Sequence, residues 1–425
     1  MALTPSTGSH DVIVIGGGPS GSVTAYRLAK AGVRVLLIDA KRFPREKACG
    51  GGIQFKGAQK IPFEWDSVKR GTLSGGDFSF RFSDRFSRTY SKPLVYSVLR
   101  YQFDEFLLRS AEAAGVQLVE GFSAKNVLET DKGVSVETER GVFNARFAVG
   151  ADGANGISRR SINARADYFW QSGLYCEIPE GDIISGKLNE PLMRIDWGTL
   201  PSGYGWIFPK QGSVNVGVGC PNQIARIARP YFNRFIEREQ LLKPGVFDKT
   251  AVKGHQLPTL THKTRFSSRN TLLVGDAAGL VEPFTGDGIS AGLHSAEIAA
   301  EVIVRQLGTA STGLSEYDRR VRAEIAPEIF LSRKLLSFFV VFPRMVHEIF
   351  KHNMKVWTAF CRVLRGEESF RIFRQKKFGA FEFLWLPIDA CVQARERRLL
   401  NQPPSNSAPC TANNSRIVES VLRRM

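Results

Sequence analysis

The chain has 425 residues, 43% of them hydrophobic, six cysteines and a formal net charge of +17. That length exceeds what one hydrophobic core usually serves, so two or three sub-domains are expected in a soluble globular chain. The cysteines form no C-x-x-C pair or zinc-ligand spacing, which excludes a zinc module and points to a reducing, cytoplasmic compartment.

The first ten residues, MALTPSTGSH, show no basic stretch leading into an apolar one, so a flexible N-terminus over 1–10 and no secretory signal are expected. From there VIVI at 12–15 is a short β-branched run entering a glycine turn, where Gly16, Gly18 and Gly21 stand in G-x-G-x-x-G spacing. A helix is predicted over Ser22 to Ala31, and VRVLLIDAKR at 33–42 reads as a second buried strand ending in Asp39, twenty-three positions after Gly16. Strand, glycine turn, helix, strand and acid together are one half of a dinucleotide site. Gly16 supplies the tight turn, Gly18 a close approach to pyrophosphate and Gly21 the helix packing, with Pro19 and Ser20 between them. The helix N-terminus then faces the anion. Asp39, followed by Ala40, suits two free ribose hydroxyls and repels a 2′-phosphate, which favours FAD or NAD over NADP.

Further along, GGDFSFRFSDRFSRTYS at 75–91 alternates as a hairpin, and RYQFDEFLLRSAEAAG at 100–115 has helical spacing with a closing glycine. Short strands lead to GADGANGISRR, in which Gly150, Asp152 and Gly153 follow a strand. Alternation in MRIDWGTL, GYGWIF and SVNVGVGC, within 193–220, predicts an antiparallel sheet inserted into the nucleotide domain. A last strand, TLLVGDAAGL, carries Gly275 and Asp276 through a turn with Gly286 and Gly288 into a long helix, Gly288 to Leu307. From Tyr317 to Leu399 the pattern is helical, and NQPPSNSAPCTANNS after Leu400 has the composition of a disordered tail.

The fold class expected is therefore α/β. A Rossmann-like nucleotide domain is built from 11–70, 95–165 and 265–308, and the antiparallel-sheet substrate domain from 71–94 and 166–264. A helical C-terminal region over 309–400 and a tail over 401–425 complete the chain.

The longest apolar run, LLSFFVVFP at 335–343, falls short of the roughly 20 residues that span a bilayer. Residues 331–425 hold 17 Lys and Arg against 7 Asp and Glu, +10 of the total charge. Such a surface attracts nucleic acid, anionic headgroups or phosphorylated compounds alike. No nucleic-acid signature accompanies it, so no nucleic-acid partner is expected. Phe338, Phe339, Phe342, Phe350 and Phe360 mix with Arg344, Lys351 and Lys355 in amphipathic fashion, suited to covering a tunnel and resting on an anionic membrane surface, the inner face for a cytoplasmic protein. His347, Glu348 and His352 do not make a zinc motif, because the histidines are five apart; His255, His262 and His294 are expected to be solvated or capping, and no metal is expected.

The three glycine-acid segments, in this order, resemble the FAD enzymes that include para-hydroxybenzoate hydroxylase. That resemblance implies Asp276 at the ribityl chain or pyrophosphate, and the amides of Gly286 to Ile289, with Gly288, facing the pyrimidine side of the flavin ring. Within that class PREKACGGG at 44–52, RYQFDEFL at 100–107 and PSGYGWIFP at 201–209 resemble the geranylgeranyl reductase family over residues 10–310. The resemblance implies that Arg45, Arg100, Asp152 and the loop of Cys49, Gly50 and Gly51 lie near the cofactor, and that Tyr204, Trp206 and Phe208 wall an apolar tunnel. Strand alternation independently puts those three side chains on one face.

A prenyl chain held in such a tunnel is gripped by area alone, ~25 cal/mol per Å². The reaction implied is addition of hydrogen across isolated double bonds, with hydride from reduced FAD and a proton from an acid. Cys49, Tyr204 or a water held by the flavin are open as that acid. The electron donor, NADPH, NADH or a ferredoxin-type protein, is unassigned. The rival readings are an aromatic or lipid monooxygenase, a halogenase, and a membrane-peripheral binding protein using flavin structurally. Halogenases carry W-x-W-x-I-P, whereas this chain has Tyr204-Gly205-Trp206-Ile207-Phe208-Pro209.

Overall fold

The computed structural model describes residues 10–372, apart from 132, 164–167, 187, 189 and 310–312. The expectations for the N-terminus before residue 10, for helix between 373 and 400, and for the tail lie outside the described residues.

The strand His10–Ile15 is the centre of the first sheet, parallel to Val35–Asp39 on one side and to Gly141–Gly150 on the other. Val12 pairs with Val35 and Phe147, and all four residues from Val12 to Ile15 are buried, the pattern of a parallel strand covered on both faces. Val12 and Val14 point to one core with Leu28, Phe147 and Ile298, while Ile13 and Ile15 point to the other with Val136 and Ala148. Gln117–Glu120 extends the sheet beside Val35–Asp39, and Thr271–Leu273 joins Gly141–Gly150 at its C-terminal end. The turn after each of three parallel strands therefore opens on the same edge, where ligands of open α/β sheets bind.

The first helix runs Pro19–Lys30, three residues earlier at its start than predicted, because Pro19 occupies the first helical turn with its φ already set and Gly18 serves as N-cap. It packs on the long helix Ile289–Leu307. A Cβ placed on Gly292 would stand 2.4 Å from Ser20 Oγ and 3.3 Å from the Gly275 Cα, so the bare glycine lets the two helices and the Gly275 turn come close.

The second sheet runs, in spatial order, Lys253–Thr259, Phe169–Pro179, Ser213–Pro221, Tyr204–Lys210, Met193–Trp197, Gly75–Phe80 and Ser83–Thr89. It departs from the antiparallel expectation at one pair: Met193–Trp197 lies parallel to Gly75–Phe80, with Ile195 opposite Phe78. The chain leaves and re-enters the sheet between those strands, and a long return permits a parallel neighbour where a tight hairpin does not. One face, through Ile207, Val214, Val216 and Val218, packs on Phe232 and Phe235 of the helix Ala228–Glu239. A third, small sheet is formed by Gly52–Gln54, Val95–Val98 and Lys69–Leu73, in that spatial order.

Helices Ser315–Glu324, Ala326–Val341, Pro343–His352 and Met354–Leu364 follow. Their phenylalanines face inward. Phe338 and Phe350 are buried, and Phe339, Phe342 and Phe360 pack partly buried against the same core as Phe78 and Trp197, so this aromatic face is spent inside the protein. Among the described residues, no helix is long and apolar enough to cross a membrane.

Candidate active site

Three turns meet at the shared sheet edge. Gly16 has φ +106°, and a Cβ there would stand 2.4 Å from the Ala151 carbonyl oxygen; one on Gly21 would stand 1.9 Å from the Gly16 carbonyl oxygen. Both glycines are obligatory for packing. Gly18 differs: the nearest atom to its would-be Cβ is Arg45 Nη2 at 3.6 Å, leaving open space in front of a helix N-terminus that no side chain caps. That is an anion cradle with its donors free. Asp39 is buried at the end of its strand, where Oδ2 accepts from the Gly17 amide at 2.7 Å and Oδ1 from the Lys41 amide at 2.8 Å. Each oxygen keeps a lone pair for a ribose hydroxyl. Ala40 lies exposed beside it.

Gly275, at φ +58°, has its would-be Cβ 2.5 Å from Ser20 Oγ, so the first glycine turn and the Gly275–Asp276 segment touch. One extended ligand can reach both. Asp152 is tied to the start of the helix Ser158–Asn163: its Oδ2 accepts from the Ser158 amide at 2.9 Å and its Oδ1 from the Ser158 hydroxyl. Burial pushes its carboxyl above the usual range.

Beyond the cradle opens a cavity of about 420 Å³, lined at its polar end by Cys49, Gly50, Arg100, Asp276 and the Gly286–Ile289 turn. Arg100 is buried and bidentate to Asp104 at 2.8 Å through each nitrogen, and Arg45 reaches the same carboxylate at 3.2 Å. Burial alone would weaken the Arg100 charge, but Asp104 and a hydrogen bond to the Cys49 thiol outweigh it and raise its pKa. Gly286, at φ +70°, brings its turn against Tyr204, whose hydroxyl donates to the Thr285 carbonyl. Burial pushes the Tyr204 phenol upward. Around this turn the buried atoms Gln54 Oε1 and Asp287 Oδ2 have no hydrogen-bond partner. An unpaired buried acceptor costs about 1–3 kcal/mol, so these atoms fit a ligand that brings donors, as the FAD ring and ribityl chain do.

The far end is hydrocarbon. Tyr204, Trp206 and Phe208 stand at alternate positions of one strand, with ring centroids 6.1 and 6.2 Å apart. Trp206 lies flat over the glycines of the neighbouring strand: a Cβ on Gly217 would stand 2.1 Å from its Cζ2. Its indole donates to Asn215 Oδ1 at 2.8 Å. The opposite wall is Phe339, Phe350, Trp357 and Phe360 from the C-terminal helices.

The first part of the chain, residues 11–54, matches the FAD dependent oxidoreductase family model, and residues 65–329 match the tryptophan halogenase model. An uncharacterised protein of Methanosarcina barkeri is 32% identical over 78% of this chain and 84% of its own length. The menaquinone reductase of Mycobacterium tuberculosis is 28% identical over 80% of this chain and 86% of its own. Digeranylgeranylglycerophospholipid reductase 2 of Methanothermobacter thermautotrophicus is 28% identical over 76% and 86%. The chain belongs to the geranylgeranyl reductase family of FAD-dependent oxidoreductases. The tryptophan halogenase model covers more than half of the chain, so the chain belongs by sequence to the flavoproteins which that model describes as well. Among solved structures, a geranylgeranyl bacteriochlorophyll reductase-like protein of Thermoplasma acidophilum has a TM-score of 0.68 at 22% identity, covering 77% of this chain and 88% of its own. A flavin-dependent brominase has a TM-score of 0.69 at 18% identity, covering 87% and 98%. These likenesses carry the fold.

Several polar residues of this reductase-family site have no signal in the motifs. His255, expected to be solvated or capping, lines the cavity, with Nε2 3.5 Å from Asp276 Oδ2 and 2.9 Å from Lys47 Nζ. Burial raises the Asp276 carboxyl, but the His255 hydrogen bond and the Lys47 charge together hold it below the ordinary range; desolvation lowers Lys47. Glu177, Lys210 and Asn215 also converge behind Trp206. His262 instead stacks on Phe330, and His294 faces Glu324 at 3.3 Å. His347 is buried among Phe80, Phe86 and Trp197. Among the described residues no group of three ligands could hold a metal ion.

Proposed function

We propose that this chain reduces isolated carbon–carbon double bonds of a geranylgeranyl-type prenyl chain borne by a lipid, pigment or quinone. The observation that carries the reading is a single cavity whose polar end, at Cys49, Arg100, Asp276 and the Gly286–Ile289 turn, runs on into hydrocarbon between the 204–208 aromatics and the C-terminal helices. Bound FAD, once reduced, supplies the hydride. Gly16, Gly18, Pro19, Ser20, Gly21, Asp39 and Ala40 hold its adenosine half in this reading, and Arg45, Arg100, Gly275, Asp276, Gly286, Gly288 and Ile289 its other half. The aromatic wall and the helices exclude water and hold the alkene by contact area.

The proton is held at Cys49 Sγ in this assignment. Tyr204 is the weaker candidate, because its hydroxyl is engaged to Thr285 and burial makes its proton harder to release. Val341, Met345 and Met354 are exposed on the C-terminal helices, near Arg344 and Lys355 in sequence. This supports an anionic membrane surface as the source of the substrate. The relatives named as menaquinone and digeranylgeranylglycerophospholipid reductases support a prenyl substrate.

The test is anaerobic: protein with chemically reduced FAD is mixed with geranylgeraniol in detergent micelles. Return of the oxidised-flavin absorbance with a product two daltons heavier is expected, and an unchanged spectrum would overturn the reading. A monooxygenase or halogenase is the second reading, favoured by the halogenase family match. Substrate-coupled oxygen uptake with a hydroxylated or halogenated product would establish it. The replacement of two residues of W-x-W-x-I-P by Tyr204 and Phe208 argues against halogenation.

A further inference from the structure

On the cavity face of the second sheet, the aromatic wall continues into a polar column. Pairing sets Glu177 opposite Asn215, Asn215 opposite Phe208, and Lys210 opposite Ser213, so strand alternation brings Glu177, Asn215, Ser213 and Lys210 to the face that holds Trp206 and Phe208. Lys210 Nζ lies 2.8 Å from Glu177 Oε2, and Ser213 Oγ donates to Oε1 at 2.6 Å. Asn215 Nδ2 donates to Glu177 Oε2 at 2.9 Å and to the Cys49 carbonyl at 3.4 Å.

The two ends of this column differ. The Lys210 side chain is 2% exposed, whereas that of Glu177 is 32% exposed. At the inner end, the would-be Cβ of Gly51 is 3.0 Å from Lys210 Nζ, and the Gly51 amide donates to Cys49 Sγ at 3.4 Å. The ammonium and the thiol therefore flank one glycine. Burial costs of this kind are avoided unless the charge is used or well paired, and Lys210 has one carboxylate for three N–H donors.

We propose that Lys210 and Glu177 form the proton supply line of the site, carrying protons from solvent to Cys49 through the sheet that walls the cavity. This rests on the reading of Cys49 as proton donor to a prenyl alkene. The balance per double bond is one hydride and one proton. Cys49–SH gives its proton to carbon and becomes thiolate. Lys210–NH₃⁺ then returns a proton to sulfur and becomes the neutral amine, and solvent restores the ammonium by way of Glu177. Desolvation lowers the Lys210 pKa against the opposing pull of Glu177, which makes its proton easier to pass on. The groups facing Lys210 are Glu177 and Ser213 from neighbouring strands, Cys49 from the loop, and Arg100 with Asp104 from the helix Arg100–Ala113.

The experiment follows prenyl reduction by the holoprotein over many turnovers, with micellar geranylgeraniol and a chemical reductant both in excess, from pH 6 to 10, with FAD content and melting temperature measured alongside. Lys210→Met is expected to slow this steady-state turnover, in which the thiol must be reloaded each cycle, about 100-fold. It should also abolish the fall in rate that wild type shows at alkaline pH as the ammonium is lost, while reoxidation by oxygen stays unchanged. Lys210→Arg, which keeps the charge but cannot release a proton, should be as slow as Lys210→Met; full activity in the arginine variant would mean charge alone matters and overturn the proposal. Should Lys210→Met lose FAD, Glu177→Gln decides: slowed turnover with an enlarged solvent deuterium effect supports the line, and wild-type behaviour refutes it. If wild-type protein itself does not react with geranylgeraniol, the functional reading and this inference fall together. If wild type reacts and Lys210→Met reacts as fast, this inference alone falls.

Discussion

Gly217 offers the sharpest perturbation of the cavity, because it is a single methyl group away from collision with the aromatic wall. A Cβ at that position would stand 2.1 Å from Trp206 Cζ2, 2.4 Å from Cε2 and 2.7 Å from Cη2. Ordinary contact begins near 3.4 Å, so Gly217→Ala must push the indole away by about 1.3 Å, the difference between those values. The strand behind it is buried and paired on both sides, so the ring yields into the cavity and strains its 2.8 Å bond to Asn215. Overpacking of this kind costs about 1–3 kcal/mol. If the cost falls on substrate binding, kcat/KM for geranylgeraniol drops about 5- to 150-fold, since ~1.4 kcal/mol is tenfold. The assay is steady-state prenyl reduction beside FAD stoichiometry and the circular dichroism melting temperature. FAD should be retained, because the three atoms nearest the added methyl group all belong to Trp206. Wild-type kcat/KM, or loss of FAD in proportion to activity, would refute the idea that Trp206 forms a substrate wall.

Further outcomes follow from other parts of the site. Asp39→Ala removes a carboxylate that holds two loop amides, so FAD affinity measured by flavin fluorescence titration should weaken about 10- to 100-fold, at ~1.5–3 kcal/mol for charge-assisted hydrogen bonds; unchanged affinity would count against the cradle. Cys49→Ala should lower prenyl reduction about 100-fold while Tyr204→Phe stays within severalfold, both with full FAD; the reverse order in single-turnover rates would move the proton to the phenol. Burial pushes the Asp196 carboxyl to about 6, so ionisation penalises the fold, and stability is greatest below the unfolded value near 3.8 and declines as pH rises towards 6. The unfolding free energy from urea titration, taken as wild type minus Asp196→Asn, should therefore fall from pH 4 to pH 7 by an amount of order 2–3 kcal/mol; an identical pH slope in the two proteins would refute the assignment.

Local order was readable wherever a covalent or short-range rule operates. Gly16 and Gly21 were identifiable because a backbone turn and a helix contact leave no room for a side chain, and the collisions at 2.4 and 1.9 Å are the measure of that rule. Period-two alternation was enough to place Tyr204, Trp206 and Phe208 together, because it needs only the pleat of one strand. Asp152 marks the limit of that legibility: an acid after a strand has the same pattern whether it faces a ligand or anchors the next helix, and its bonds to Ser158 appear only in the fold. The SVNVGVGC run carried an unused signal, since its alternating glycines are the floor on which Trp206 lies.

The FAD-type turn, the family motifs and the aromatic stripe were legible in the residues alone, each a relation among positions a few apart. It took the fold to show that Ser20 meets Gly275, that His255 and Lys47 stand at Asp276, that Lys210 and Asn215 reach the Cys49 loop, and that Phe339, Phe350 and Phe360 line the cavity. Those contacts join residues up to hundreds of positions apart, and their partners are selected by strand register and by competition for burial across the whole chain, which no short window of residues contains.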